Sequence, residues 1–352
     1  MAGGGSGGHV IPALAVAREL AALGHEPFFI GTEKGLESRL VPAAGFPIEW
    51  IEIGGLNRVG LQKAVSSLSA IPKSVLRSSA ILKRLRPAAI FSMGGYVAGP
   101  VLLAALLRRI PIIAMEPNAI PGLTHRRLAK RLARALVTFP ETVRWFPANR
   151  TEVTGLPVRE EFFQIPPKRR TPMLTVLITG GSQGSQRLNH ATEASWPLWN
   201  PGEVRLLHQT GRGHYAEIAT RFSQAGVNGE VAPFFDNMSH CFAQADIVVS
   251  RSGMGAVSEL AAAGKPSLLV PFPASADDHQ THNAQAMMNA GGARMVKDSE
   301  LTGDRLVKEI RSMAKDSGTL EQMGRAARQI ARPGAAQRAA DILLEYAAER
   351  RS

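Results

Sequence analysis

The sequence predicts an α/β fold of two Rossmann-like domains, each built around a glycine loop of phosphate-binding size, with parallel sheets facing a central cleft. Three observations predict it. The string Gly-Gly-Ser-x-Gly occurs as Gly4-Gly5-Ser6-Gly7-Gly8 and again as Gly180-Gly181-Ser182-Gln183-Gly184, 176 residues later in a chain of 352. The second copy follows the apolar run Leu174–Thr179 and leads into a helical pattern over residues 186–194, the strand, turn and helix order of a mononucleotide-binding unit. Short apolar runs alternate with helical patterns through both halves, and at this length two cores are expected.

In the first half the pattern predicts helices over residues 10–23, closed by Gly24, 37–44, closed by Gly45, 62–85, 99–108 and 124–134. Strands are expected over 26–30, 48–53, 88–92, 111–115 and 135–139. The prolines and cations of residues 157–172 read as a linker, and as a plausible hinge, between a domain over 1–160 and one over 170–335. The second half repeats the pattern, with strands at 174–179, 204–209, 247–250 and 267–270 and helices at 255–263, 281–289 and 321–330. A last helix over 336–350 follows Arg332-Pro333-Gly334 and can cross back onto the first domain.

One place breaks the pattern. Only Met1 and Ala2 precede the first glycine loop, where a central strand should feed it, so that strand reads as absent. Its loss would leave unpaired backbone groups in a slot, and the expectation is a start lying roughly six to ten residues upstream.

A composition of 45% apolar and 20% charged residues is that of an ordinary globular protein, and the lone Cys241 excludes an internal disulfide framework and fits a reducing compartment. The apolar stretch over residues 97–107 is too short to span a bilayer, and the glycine-rich start lacks a leader pattern, so a cytosolic or cytosol-facing protein is expected. Charge is placed unevenly. Between residues 53 and 140 fourteen Lys or Arg face one acid, Glu116, and the chain's first aspartate is Asp236. Nucleic acid, anionic lipid or a diphosphate substrate would each answer such a field. Residues 61–84 put apolar positions at helical spacing beside Lys63, Lys73, Arg77, Lys83 and Arg84, and only Phe91 and Tyr96 supply rings nearby. A membrane surface therefore fits better than single-stranded nucleic acid.

The densest motif is Gly253-Met254-Gly255-Ala256-Val257-Ser258-Glu259, a glycine turn entering a helix with a carboxylate one turn on. Amides there suit a diphosphate, and Glu259 can accept both hydroxyls of a ribose, or simply complement the helix start.

At these residues the chain resembles the GT-B glycosyltransferases, and within them the family that moves N-acetylglucosamine from UDP-GlcNAc to lipid I. The resemblance covers residues 2 to about 345. Besides the two glycine loops it rests on His9, on Met93-Gly94-Gly95-Tyr96-Val97-Ala98-Gly99-Pro100, Glu116-Pro117-Asn118, Gly155-Leu156-Pro157-Val158-Arg159, Ser250-Arg251-Ser252-Gly253 and Asp278-His279-Gln280. It implies donor contacts from Ser6, Gly7, Gly8, Asn118, Arg159, Ser182, Phe235, Met254, Gly255, Ala256, Val257, Ser258, Glu259 and His279, with Gln183, Gln280 and Asn283 beside them. The chain departs from the family pattern at Leu156, Pro117 and Ala256, and the last leaves the diphosphate to main-chain amides and Ser182.

The resemblance implies an inverting transfer, which needs a base, an aligned donor and a stabilised leaving diphosphate. His9 is the candidate base, since its ordinary pKa lies near neutral, and Glu116 can orient it or replace it. Gly4, Gly5, Gly94, Gly95 and Tyr96 would hold the acceptor, with the glycines cradling its diphosphate. Adjacent Asp277 and Asp278 suggest a metal, yet such acids commonly cap a helix, and the resemblance implies chemistry without metal or cofactor, UDP-GlcNAc being a substrate. It further implies work on the cytoplasmic face of the membrane, beside cell-wall or division-complex proteins and without nucleic acid. A UDP-GlcNAc 2-epimerase, a diacylglycerol glycosyltransferase or a non-catalytic lipid-binding relic would share Glu259 and the loops. His9 and residues 93–100 argue against the two enzymes, and a first domain unable to close would favour the relic.

Overall fold

Parallel pairing organises both sheets of the computed structural model, which describes residues 1–53, 61–169 and 171–350. The chain divides into two units, residues 1–157 with 334–352, and residues 158–333.

In the first unit β1 (Ala2–Gly3), β2 (Phe29–Gly31), β3 (Ile48–Trp50), β4 (Ile90–Gly94), β5 (Ile112–Glu116), β6 (Arg134–Val137) and β7 (Thr151–Val153) lie in the order β3-β2-β1-β4-β5-β6-β7. The connecting helices are α1 (Gly7–Ala22), α2 (Glu37–Ala43), α3 (Leu61–Leu85), α4 (Gly95–Leu107) and α5 (Leu123–Leu128). Strands β4 and β5 are buried along their whole length, as apolar runs covered on both faces must be. Helix α4 is apolar nearly all round and buries Val97, Val101 and Leu102 against the sheet. Each such side chain contributes about 1.5–3 kcal/mol on leaving water.

The first strand is present after all. Ala2 pairs with Ile30 on one side and Ser92 on the other, and Gly3 pairs with Gly94, so two residues and the Met1 amino group, bonded to Phe28 O at 2.8 Å, fill the central slot. A strand this short shows no apolar alternation, because backbone pairing alone defines it.

In the second unit the order is α6 (Glu160–Phe163), β8 (Leu174–Thr179), α7 (Gln186–Ser195), β9 (Val204–Gln209), α8 (Tyr215–Ala225), β10 (Gly229–Ala232), α9 (Met238–Gln244), β11 (Ile247–Ser250), α10 (Met254–Ala263), β12 (Ser267–Leu269), α11 (His279–Asn289), β13 (Ala293–Met295), α12 (Gly303–Met313) and α13 (Ser317–Ile330). Its sheet runs β10-β9-β8-β11-β12-β13. The stretch expected as a linker is partly structural. It forms α6, whose buried Phe162 meets Phe242 edge-on at 5.1 Å.

Gly334, at φ +74°, breaks the chain direction before α14 (Ala335–Glu349), which belongs to the first unit and packs on α1. Arg338 grips Glu152 with Nε–Oε1 2.7 Å and Nη2–Oε2 3.0 Å, and Tyr346 donates to Ala133 O at 3.0 Å. The Arg338 hydrogen bonds pull the Glu152 carboxyl down to about 2, against its burial and with help from Arg134.

Candidate active site

In the first unit, β1 leads into Gly4 and Gly5, and a buried acid holds the turn that follows. Glu37, 1% exposed, accepts the Gly5 amide at 2.8 Å through Oε2, and the Thr32 amide and hydroxyl at 3.0 and 2.9 Å through Oε1. Thr32 Oγ1 lies 3.1 Å from Tyr96 Oη, and a side chain at Gly5 would strike the Tyr96 ring at 2.6 Å. The loop is thus clamped between Glu37 and Tyr96. Its Gly5 amide, expected to face an acceptor diphosphate, is spent on a carboxylate. Gly7 and Gly8 open α1, and a Cβ on either would find its nearest atom at 3.6 and 3.7 Å, so their amides stay approachable. His9 follows, with Nδ1 3.1 Å from Ser6 Oγ.

Glu116 is the second acid and is 2% exposed. Its Oε1 accepts the main-chain and side-chain amides of Asn118 at 3.1 and 3.2 Å, and its Oε2 accepts the Gly122 amide at 3.1 Å and faces His125 Nδ1 at 2.9 Å. His125 Nε2 lies 3.0 Å from Ser92 Oγ, which accepts the Gly94 amide at 3.1 Å. Burial would raise the Glu116 carboxyl, but the His125 hydrogen bond and charge, with the Asn118 and Gly122 amides, outweigh it and hold it below the usual carboxylate range. Both Glu116 oxygens thus hold Asn118, Gly122 and His125. Gly94 and Gly95 turn at φ +81° and +77°, and a Cβ on Gly95 would meet Gly4 O at 3.0 Å and the His9 ring at 3.6 Å. Gly94, Gly95, Gly4 and His9 are thus brought together.

In the second unit, Gly181 and Gly184 turn at φ +82° and +75°, leaving Ser182 and Gln183 exposed at the loop tip. Gln209 braces it: Nε2 donates to Thr179 Oγ1 at 3.1 Å and Gly181 O at 3.0 Å, and Oε1 accepts the Phe235 amide at 2.9 Å. Phe235 itself is buried. Gly253 begins α10 without a side-chain cap, and a Cβ at Gly255 would meet nothing within 4 Å. The first amides of this helix have no side-chain cap and lie at the dipole's positive end, which suits an anion. Val257 supplies neither group, since its side chain is buried and its amide bonds Gly253 O at 3.0 Å; the Met254 side chain is buried too.

One turn on, Glu259 receives Arg159 Nη2 at 3.2 Å, and Arg159 also pairs with Glu161 and lies 4.8 Å over the Phe162 ring. Burial pushes the Glu259 carboxyl up, only partly opposed by Arg159. Gln280 gives its Oε1 to the Phe272 amide at 3.0 Å, and Asn283, 1% exposed, reaches Ser252 O at 3.3 Å, so Asn283 acts behind the loop. His279 Nδ1 and Ser258 Oγ are buried without a hydrogen-bond partner among the described residues. Asp277 and Asp278 both adopt positive φ, +47° and +53°, before α11; Asp278 accepts from the Thr281 hydroxyl and makes no side-chain cap to an amide.

The sequence reading missed Glu37, His125 and Gln209, whose partners lie far along the chain or in the backbone. A second signal existed only for Glu37, an acid at a helix start just after a predicted strand.

Two doubly wound sheets, a glycine loop in each, and an open helix start followed by a carboxylate define a GT-B glycosyltransferase. Residues 1–137 match the glycosyltransferase family 28 N-terminal domain and residues 175–342 its C-terminal domain. A UDP-N-acetylglucosamine--N-acetylmuramyl-(pentapeptide) pyrophosphoryl-undecaprenol N-acetylglucosamine transferase of Solibacter usitatus is 59% identical over 99% of this chain and 95% of that protein. The enzyme of the same name from Anaeromyxobacter sp. (strain K) is 40% identical over 99% and 93%. The crystal structure of Acinetobacter baumannii MurG superimposes with TM-score 0.82 at 30% identity, covering 97% of each chain. The chain belongs to glycosyltransferase family 28, among the MurG enzymes.

Proposed function

We propose that this chain moves N-acetylglucosamine from UDP-GlcNAc to the muramyl 4-hydroxyl of lipid I, forming lipid II with inversion at the anomeric carbon. The observation that carries the reading is the uncapped start of α10 with Glu259 one turn on, in a chain 59% identical to a named transferase. The amides of residues 254–256 and the Ser182 tip take the diphosphate, and the helix dipole stabilises charge as UDP departs. Glu259 accepts the ribose hydroxyls, while His279 and Gln280 read the sugar. His9 takes the proton from the acceptor hydroxyl. Glu116 positions Asn118 and, through His125 and Ser92, the Gly94 turn.

The first unit meets an anionic membrane surface. Exposed Leu76 on α3 and Leu103 and Leu107 on α4 stand beside Lys73, Arg77 and Arg108, an apolar and basic combination suited to headgroups. Among the described residues no helix is long and apolar enough to cross a membrane. The reaction takes place on the cytoplasmic face, where UDP-GlcNAc is available.

Incubation with labelled UDP-GlcNAc and a lipid I analogue tests this directly. A lipid-linked disaccharide is expected; labelled free sugar or an epimerised nucleotide without it overturns the reading.

A further inference from the structure

A cavity of about 580 Å³ opens at the far end of α10 from Gly253, below the amino-terminal ends of β11 and β12 and against α13. Helix α10 has ten residues and so separates this cavity from the donor amides by about 15 Å. Lys168, Arg169, Lys265, Arg325 and Arg328 line it with two acids, Asp246 and Glu321.

The ionic pairing does not close. Lys168 Nζ meets Asp246 Oδ2 at 2.6 Å, and Arg325 sits 3.6 Å from Glu321. Among the described residues, Lys265, Arg328 and the exposed Arg169 make no ion pair, and Asp246, the acid near Lys265, is already paired with Lys168. Capping of α10 does not account for Lys265 either. The carbonyls of Leu260 and Ala261 are met by the Lys265 and Gly264 amides, and that of Ala263 by Arg328 Nη2 at 3.1 Å, while the Lys265 ammonium goes to Ala245 O, outside the helix. That ammonium, on a side chain 3% exposed, makes a single hydrogen bond among the described residues, to Ala245 O at 2.9 Å, although it has three protons to donate. Arg328 spends Nη2 on Ile165 O and Ala263 O.

We propose that this cavity is a second ligand site, distinct from the donor site, which takes a phosphate or diphosphate group between Lys265 and Arg328. The lining carries more cations than acids, with Lys265 and Arg328 the two unpaired cations whose donors are described above, and charge-assisted hydrogen bonds from a phosphate would fill their unused donors. Burial, with Lys168 and Arg328 nearby, pulls the Lys265 ammonium down to about 8 despite Asp246, so an arriving anion relieves an unfavourable charge. The group can belong to a soluble metabolite or to a lipid headgroup.

Calorimetric titration of the full chain with inorganic pyrophosphate, in saturating UDP to fill the donor site, tests the proposal. A binding event should persist, weaken at least about tenfold in Lys265→Met, and strengthen roughly threefold in Glu321→Gln, which removes an opposing charge outside the core. Absence of pyrophosphate binding in the UDP-saturated protein overturns the proposal, as does equal affinity in wild type and Glu321→Gln; where Lys265→Met fails to fold, Glu321→Gln alone decides. Titration with a short-chain phosphatidic acid kept monomeric in solution, again in saturating UDP and with no bilayer for the first unit to bind, separates the sources. Binding that Lys265→Met weakens in parallel with pyrophosphate assigns a headgroup, and pyrophosphate binding without phosphatidic acid binding assigns a soluble phosphate.

Discussion

His125 Nδ1 lies 2.9 Å from Glu116 Oε2, with both side chains at most 3% exposed, and this pair carries the Gly94 turn through Ser92. Glu116→Ala would strand a buried imidazole and three amide donors, while removal of one partner of a buried pair typically costs about 3–5 kcal/mol. The expected outcome is a fall in melting temperature for Glu116→Ala, with Glu116→Gln recovering part of it by keeping one acceptor oxygen, for Asn118, while its NH2 group faces Gly122 and His125. Thermal denaturation of both variants checks this. Equal melting of the wild type and the alanine variant would show that the network has no structural weight.

His9 and Glu116 then separate by pH dependence. Both Glu116 oxygens are taken up by hydrogen-bond donors, and the proposed mechanism gives the proton transfer to His9. His9→Ala should lower kcat by about 10²–10⁴ and abolish the acid limb of the kcat/KM profile. Glu116→Gln should lower kcat yet keep that limb. Rates across pH 5 to 9 with a fixed acceptor analogue distinguish the two, and loss of the limb in Glu116→Gln alone would reverse the assignment.

Much of this architecture is readable in the residues. Leu174–Thr179 and Ile247–Ser250 are buried apolar runs with β-branched residues, and the strands occupy those bounds. Strand β10 is not legible because Gly229 and Glu230 on a sheet edge carry no apolar alternation, and β1 is not because two residues cannot show a period. The site divides along the same line. Glycine loops, Glu259 and His9 are local motifs, whereas Ser92, Glu116 and His125 meet only after three separate segments fold together. Glu37 is more instructive still. The first glycine loop reads as a phosphate cradle, yet a carboxylate 32 residues away holds its Gly5 amide.

Glu259 should report on the ribose. If its carboxylate accepts the ribose hydroxyls, the wild type will bind UDP more tightly than 2′-deoxy-UDP, and Glu259→Ala will lose about ten- to a hundredfold in UDP affinity together with that preference. Arg159→Ala frees one Glu259 oxygen and should weaken UDP by a smaller factor. Equilibrium titration with both nucleotides measures this. An unchanged preference in Glu259→Ala would move the ribose elsewhere.

The second unit should lose stability in mild acid through His208. Its ring is buried, donates from Nε2 to Asn189 Oδ1 at 3.0 Å, and leaves Nδ1 without a partner among the described residues, so burial pulls its pKa down to about 4 from 6.5. The unfolded chain takes up a proton near pH 6.5 that the folded chain refuses until about pH 4. Stability from this residue is therefore complete above pH 6.5 and falls as the pH drops toward 4, by on the order of 3 kcal/mol. His208→Gln removes the titrating group and should flatten that part of the profile while lowering stability at neutral pH. Urea unfolding at pH 7.5, 6, 5 and 4.5 reads the slope, and a parallel decline in the wild type and His208→Gln would place the acid sensitivity in other groups.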